Sequence, residues 1–291
     1  MSFEHRLDAS PQSFDRDAIA EVFAQLALEA AVTVMQVYHT DCHARHKADH
    51  SPVCDADEYA EAVILAGLAT QLPQLPVIAE EAAARGHKPP CGGSFILVDP
   101  VDGTREFLSH NGEFTINIGL ILGSTPCAGA VYAPALNRLW MAGEKAFSCT
   151  VSPGMALPPP GERTPMHVRA HPDSGWTALA SRSHADPQTD AFLAALPISE
   201  RRTAGSSLKF CFIAEGAADI YPRFGNTMEW DTAAGDAILR AAGGVVLDAE
   251  GVPLRYGKAS SQFKNGSFLA WGDPAIAATS ALDAFQAGVK S

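Results

Sequence analysis

The chain has 291 residues, 47% of them hydrophobic and 19% charged, which supplies a large core and argues against disorder. Lys and Arg number 21 against 33 Asp and Glu, a formal net charge of −12. Polymeric nucleic acid and an anionic membrane surface are therefore disfavoured as main partners, while small anionic substrates stay open if bound cations reverse the local field.

Apolar residues at Ile19, Val22, Phe23, Leu26, Ala30, Val34 and Val37 repeat with helical period, predicting a helix over 17–38 with one buried face. That stripe reads as packing against a sheet, with a homodimer face as the alternative. A second helical pattern runs through Tyr59, Val63, Ile64 and Leu68 and stops at Pro73. From Ser94 the period changes. Phe95 to Val98 reads as a buried strand entering Asp99-Pro100, and 114–122, 128–133 and 138–142 read as further strands. Turn residues at 123–126 and 134–137 make this sheet largely antiparallel.

The proline-rich stretch 148–166 reads as a linker or surface excursion. It separates an N-terminal half, 1–150, from a C-terminal half, 151–291. Beyond it strands at 177–180, 218–221, 245–247 and 268–271 alternate with helices at 187–196, 207–215, 232–242 and 274–287. The whole is an α/β protein in layers. No uninterrupted apolar run reaches the ~18 residues of a membrane span, and the first residues lack the layout of a secretory signal. Six cysteines without a C-x-x-C pair point to reduced thiols in the cytoplasm, with peripheral association at the inner membrane left open.

The sharpest motif is Asp99-Pro100-Val101-Asp102-Gly103-Thr104, at the carboxyl end of a predicted strand. Carboxylate and carbonyl oxygens here suit a hard cation such as Mg2+. Gly103 and Thr104 offer N–H groups at a helix start, where phosphate binds well. An Asp–Gly turn with a helix cap is the plainer alternative. Glu80-Glu81 follows a strand-like segment, Asp231 opens a helix after Trp230, and Asp55 and Asp57 begin another. Each could be a cap, but together they read as a cluster for two or more metals.

At Glu80-Glu81, Asp99 to Thr104 and Trp230 to Gly235 the chain resembles the inositol monophosphatase superfamily of Mg2+-dependent, Li+-sensitive phosphatases. Lys47 to Val53, Arg105 to Leu108, Asn111 to Asn117, Ser181 to His184, Gly205 to Phe210 and Tyr221 to Arg223 resemble its CysQ-type bisphosphate nucleotidase branch. The resemblance implies a layered αβαβα sandwich of the sugar-phosphatase type. It implies that Glu80, Asp99 and the Val101 carbonyl hold one Mg2+, that Asp99, Asp102 and Asp231 hold a second, and that a third in some relatives leans on Glu80. Thr104, polarised by Asp57, would orient the attacking water; Thr104, Asp57 and Glu80 are the implied catalytic residues.

Substrate recognition falls to Gly103, Thr104, Asp231 and the second half. Gly205, Ser206 and Ser207 open a helix toward a phosphate or ribose with Lys209 nearby, Ser181 and His184 lie past a strand end, and Tyr221 precedes Arg223, which forks onto the uncleaved phosphate. The implied reaction releases the 3′-phosphate of adenosine 3′,5′-bisphosphate. Inositol-1-phosphate hydrolysis and a non-catalytic nucleotide sensor are the alternatives. One departure is Cys54 where relatives usually have Thr, and another is Ala79 in place of Ser. Cys42, His43, His46, His50 and Cys54 form a dense soft-ligand group, but their spacing fits no zinc module.

Overall fold

A computed structural model of the chain describes residues 14–40, 45–46, 52–182, 186–275 and 280–290. The first periodic segment is helix α1 (Arg16–Tyr38), capped by the Asp15 carboxylate, which accepts from the Ala18 N–H at 3.0 Å. Helix α2 (Asp55–Gln71) ends just before Pro73. A seven-stranded sheet then runs in chain order: β1 (Val77–Ala79), β2 (Ser94–Asp102), β3 (Thr115–Leu122), β4 (Thr125–Ala133), β5 (Arg138–Ala142), β6 (Ala146–Thr150) and β7 (Thr164–Pro165). It is antiparallel throughout except for the parallel pair β1–β2. Short helices α3 (Glu80–Ala84) and α4 (Thr104–Leu108) leave the carboxyl ends of β1 and β2.

The second sheet contains β8 (Trp176–Ser181), β9 (Ile198–Ala204), β10 (Ile220–Arg223), β11 (Val245–Asp248) and β12 (Phe268–Trp271), in the order β9-β8-β10-β12-β11. Between and beyond its strands lie α5 (Pro187–Ala194), α6 (Leu208–Ala214), α7 (Glu229–Ala241) and α8 (Ser280–Lys290).

Alternation along the strands divides the core into three layers. Ile96, Val98, Ile116 and Ile118 join the apolar face of α1 and α2. Phe95, Leu97 and Val131, on the other face, pack with α6, α7, Tyr221 and Phe268. Ile220, Leu269 and Trp271, on the far face of the second sheet, pack with Phe192 of α5 and Phe285 of α8. The result is the helix–sheet–helix–sheet–helix sandwich that the resemblance implied.

Helix α7 lies directly on the first sheet because Gly119 and Gly129 face each other in adjacent strands. A Cβ at Gly129 would sit 2.7 Å from the Ala234 carbonyl oxygen, and one at Gly119 would sit 2.9 Å from the Ala234 nitrogen. The contact fixes the height of α7, and hence of Asp231, above the strands.

Four readings are sharpened or corrected. By length and composition α1 is apolar enough to cross a membrane, but Ala20, Phe23, Ala24, Leu26, Ala27 and Ala31 are buried in the first core layer, where the helix packs on α2 and the first sheet. The 148–166 stretch is a surface excursion whose ends are β6 and β7. It is tied to α1 by Gly154 N–H to Leu28 O at 2.9 Å, Leu157 N–H to Gln25 Oε1 at 3.1 Å and an Arg163–Glu21 pair at 2.6 Å. Strand β9 is absent from the sequence reading because an edge strand of charged, exposed residues lacks the apolar signal. Finally, Asp231 does not open its helix: α7 starts at Glu229, and Asp231 sits in the first turn.

Candidate active site

The first strand of the site is bent. Between Asp99, which pairs with Asn117, and Asp102, which pairs with Thr115, β2 carries one more residue than β3. Residues three apart on a regular strand point to opposite faces. The bulge cancels that, so Asp99 and Asp102 share the face that carries Thr115 and Asn117. Gly103 then takes φ 88, a left-handed conformation, and starts α4. Asp99 is buried, with Oδ1 accepting from the Val101 N–H at 3.1 Å. The Thr104 hydroxyl donates to the Val101 carbonyl at 3.5 Å.

Glu80, Asp102, Gly103, Thr104, Ser181, Ser206, Lys209, Tyr221, Arg223 and Asp231 line one cavity of about 370 Å³. The sequence reading had drawn these residues from both halves. Asp99, Val101 and Asp57 are buried and do not line it. Glu81, next to Glu80, points inward and its N–H donates to Glu61 at 2.7 Å.

Two expected arrangements differ. Asp57 is spent on its own helix end, accepting from the Cys54 N–H at 2.9 Å, and does not bond Thr104. Burial pushes its carboxyl up to about 7, against the pull of Cys54 and with Glu81 and Glu80 adding repulsion. The Gly205-Ser206-Ser207 segment opens a helix as expected, with Ser207 at the N-cap, but among the three only Ser206 lines the cavity. Helix α6 begins at Leu208, Ser206 has φ 53, the Gly205 N–H donates to Glu113 at 2.7 Å, and Ser207 is buried. Gly205 and Ser207 therefore support the cavity from behind. His184 lies outside the described residues, as does most of the Cys42–His50 group.

The cationic side is built on α6 and β10. Lys209 is buried, with Nζ donating to the Ala204 and Ser206 carbonyls at 3.0 and 2.5 Å and lying 5.0 Å from the Tyr221 ring centroid. Burial lowers its pKa to about 8, although Asp102 partly offsets this. Burial raises the Tyr221 phenol to about 12. Arg223 donates to the Gly225 and Asn226 carbonyls at 3.3 and 3.4 Å.

On the acidic side, burial holds the Asp231 carboxyl well above the usual range, and Asp102 and Glu80 push it further. Among the described residues no three such acids close around one point. Instead Asp102 Oδ2 accepts from Ser206 and Ser207 at 2.6 and 2.8 Å. The donors nevertheless fit a hard divalent cation: they are all oxygen, and mutually repelling buried carboxylates are stabilised by positive charge.

Several residues were not singled out as site residues by the sequence reading, although some lie in segments that carried the resemblance. Asn117 donates to Ser207 Oγ at 2.8 Å and Thr115 donates to Asn117 at 2.9 Å, both fully buried. Their signal was two polar residues on one face of an otherwise apolar strand. Glu113 pairs with Arg182 through two bonds of 2.7 and 2.8 Å. Glu106, Thr227 and Lys264 also line the cavity.

Residues 15–284 match the inositol monophosphatase family, and the chain belongs to it. Its likeness lies with the CysQ-type branch. The 3′(2′),5′-bisphosphate nucleotidase CysQ of Escherichia coli (strain K12) is 44% identical over 236 residues, 80% of this chain and 91% of that one. The CysQ of Buchnera aphidicola is 38% identical over 255 residues, 84% of this chain and 91% of that one. The crystal structure of CysQ from Bacteroides thetaiotaomicron superposes with a TM-score of 0.74 at 35% identity, covering 89% of this chain and 98% of that one.

Proposed function

We propose that the chain is a Mg2+-dependent 3′(2′),5′-bisphosphate nucleotidase that hydrolyses the 3′-phosphate of adenosine 3′,5′-bisphosphate to AMP and phosphate. The observation that carries the reading is one cavity lined both by carboxylates, Glu80, Asp102 and Asp231, and by cationic side chains, Lys209 and Arg223. Such a lining suits a substrate with two phosphates, one hydrolysed and one held. The CysQ relatives support the choice of nucleotide.

In this reading Glu80, Asp99, the Val101 carbonyl, Asp102 and Asp231 hold two Mg2+, with Glu80 available to a third. When bound, Mg2+ supplies charge neutralisation and a more acidic water. The Thr104 hydroxyl, aligned on the Val101 carbonyl, orients the nucleophilic water. Asp57 keeps the first turn of α2 against that segment rather than polarising Thr104 directly. Lys209 lies under the cavity floor with two of its three protons on backbone carbonyls, leaving one to meet an anion. Residues 1–150 act as the half carrying most metal ligands, and 151–291 as the half carrying Asp231 and the specificity residues. The enzyme works in the cytoplasm on a small phosphorylated nucleotide.

The test is phosphate release with Mg2+ from adenosine 3′,5′-bisphosphate and from inositol-1-phosphate at equal concentration. Preference for the nucleotide is expected. Preference for inositol-1-phosphate would keep the metal chemistry and overturn the substrate assignment; release from neither would favour a nucleotide sensor.

A further inference from the structure

We infer that Glu61 is a positioning residue for the metal site: its buried carboxylate grips the short helix α3 at both ends and so sets where Glu80 stands. The inference rests on the assignment of Glu80 as a Mg2+ ligand above. Glu80 is the first residue of α3 and lines the cavity.

Local structure alone holds this point weakly. Strand β1 has three residues at the edge of the first sheet, and its ladder with β2 ends at Ala79, opposite Val98. Helix α3 has five residues, far below the length at which a helix is stable by itself. Ala79, at its N-cap, carries no side-chain oxygen, so the first-turn N–H groups receive no cap from their own segment.

Glu61 supplies the missing anchors from α2. It is fully buried, one helical turn after Asp57. Its Oε2 accepts from the Glu81 N–H at 2.7 Å, one of the donors that an N-cap serine would satisfy. Its Oε1 accepts from Arg85 Nη2 at 2.8 Å, and Arg85 is the C-cap residue of the same helix. A buried carboxylate is costly unless its oxygens are bonded, and here each oxygen is bonded to one end of α3. The carboxylate therefore acts as a brace between α2 and the helix that begins with Glu80. Glu58, also on α2, lies 3.7 Å from Arg85 Nη1 and gives a comparison that touches the arginine but not the start of α3.

The test titrates Mg2+ calorimetrically into the protein without substrate, and separately measures the Mg2+ half-saturation of phosphate release. Glu61→Leu should weaken Mg2+ binding about tenfold or more, the usual effect of losing a group that orients a metal ligand. The half-saturation should rise in parallel, while kcat at saturating Mg2+ stays within about threefold. Glu61→Gln, whose amide oxygen can still accept from the Glu81 N–H, should recover most of the affinity, and Ala79→Ser in the Glu61→Leu background should recover part of it by capping α3 from its own segment. Arg85→Met, which releases only the far end of the helix, should shift Mg2+ binding in the same direction by about threefold, and Glu58→Gln should leave it unchanged. Wild-type Mg2+ affinity in a folded Glu61→Leu, or in Arg85→Met should Glu61→Leu not fold, overturns the positioning role. Glu80→Gln separates the two readings. If it binds Mg2+ as tightly as wild type, Glu80 is not a ligand and the role of Glu61 falls with it; if it binds weakly while Glu61→Leu binds normally, only the role of Glu61 falls.

Discussion

Ser206, held at φ 53, donates its hydroxyl to Asp102 Oδ2 at 2.6 Å. The bond joins the loop before α6 to the end of β2, so a carboxylate of the first sheet is oriented by a residue 104 positions later. Left-handed backbone at a serine is unfavourable, and the dense bonding around it is what holds it there. Ser207 and Asn117 complete the set, the latter 3.4 Å from the same oxygen.

Asp99 shares a strand face with Asp102 through the bulge, and on the proposed reading it would serve as a ligand to both cations. Asp99→Asn should lower phosphate release by more than about 100-fold at saturating Mg2+, since the proposed ligand to both ions would lose its charge. Activity above about a tenth of wild type would show that the bridging assignment is wrong.

Thr104 is expected to act on turnover rather than on affinity. Thr104→Ala should reduce kcat about 100-fold while KM stays within about threefold, and Thr104→Ser should recover most of it. Steady-state kinetics separate this from a binding role, in which KM would rise and kcat would hold.

Lys209 gives the stability a definite pH dependence. Its folded pKa, about 8, lies below its unfolded value of 10.5, so between these the unfolded chain binds more protons and stability rises with pH. Below pH 8 both states are protonated and the full burial cost applies. Urea unfolding of wild type and Lys209→Met should therefore show the variant's advantage at pH 7 shrinking toward pH 10. A constant difference across that range would exclude a buried, perturbed lysine.

Glu113 holds the two halves of the site together from outside the cavity. Its carboxylate takes the Arg182 guanidinium and the buried Gly205 N–H, each at 2.7 Å. Glu113→Ala strands that N–H and should destabilise the protein by about 1–3 kcal/mol. Arg182→Ala breaks only a half-exposed ion pair and should cost under about 1 kcal/mol. Denaturant titrations that reverse this order would place the weight on the ion pair instead.

Local rules sufficed for much of the molecule. A helical period located α1 and α2, and unbroken apolar runs located β2 and β3, because a helix buried on one face and a strand buried on both leave these patterns in the chain. The hexapeptide 99–104 and the acids at 80 and 231 announced their chemistry because oxygen donors at strand and helix ends are a local property. Three things were settled only by tertiary structure. The bulge that puts Asp99 and Asp102 on one face depends on the register of β2 against β3. The anchoring of Gly205 and Ser207 outside the cavity lining depends on Glu113 and Asp102, which are distant in sequence. Lys264 entered the cavity through a two-residue ribbon too short to leave any period at all. Periodicity reports which face is buried; it carries no information about which distant group a side chain meets there, and that meeting is what makes the site.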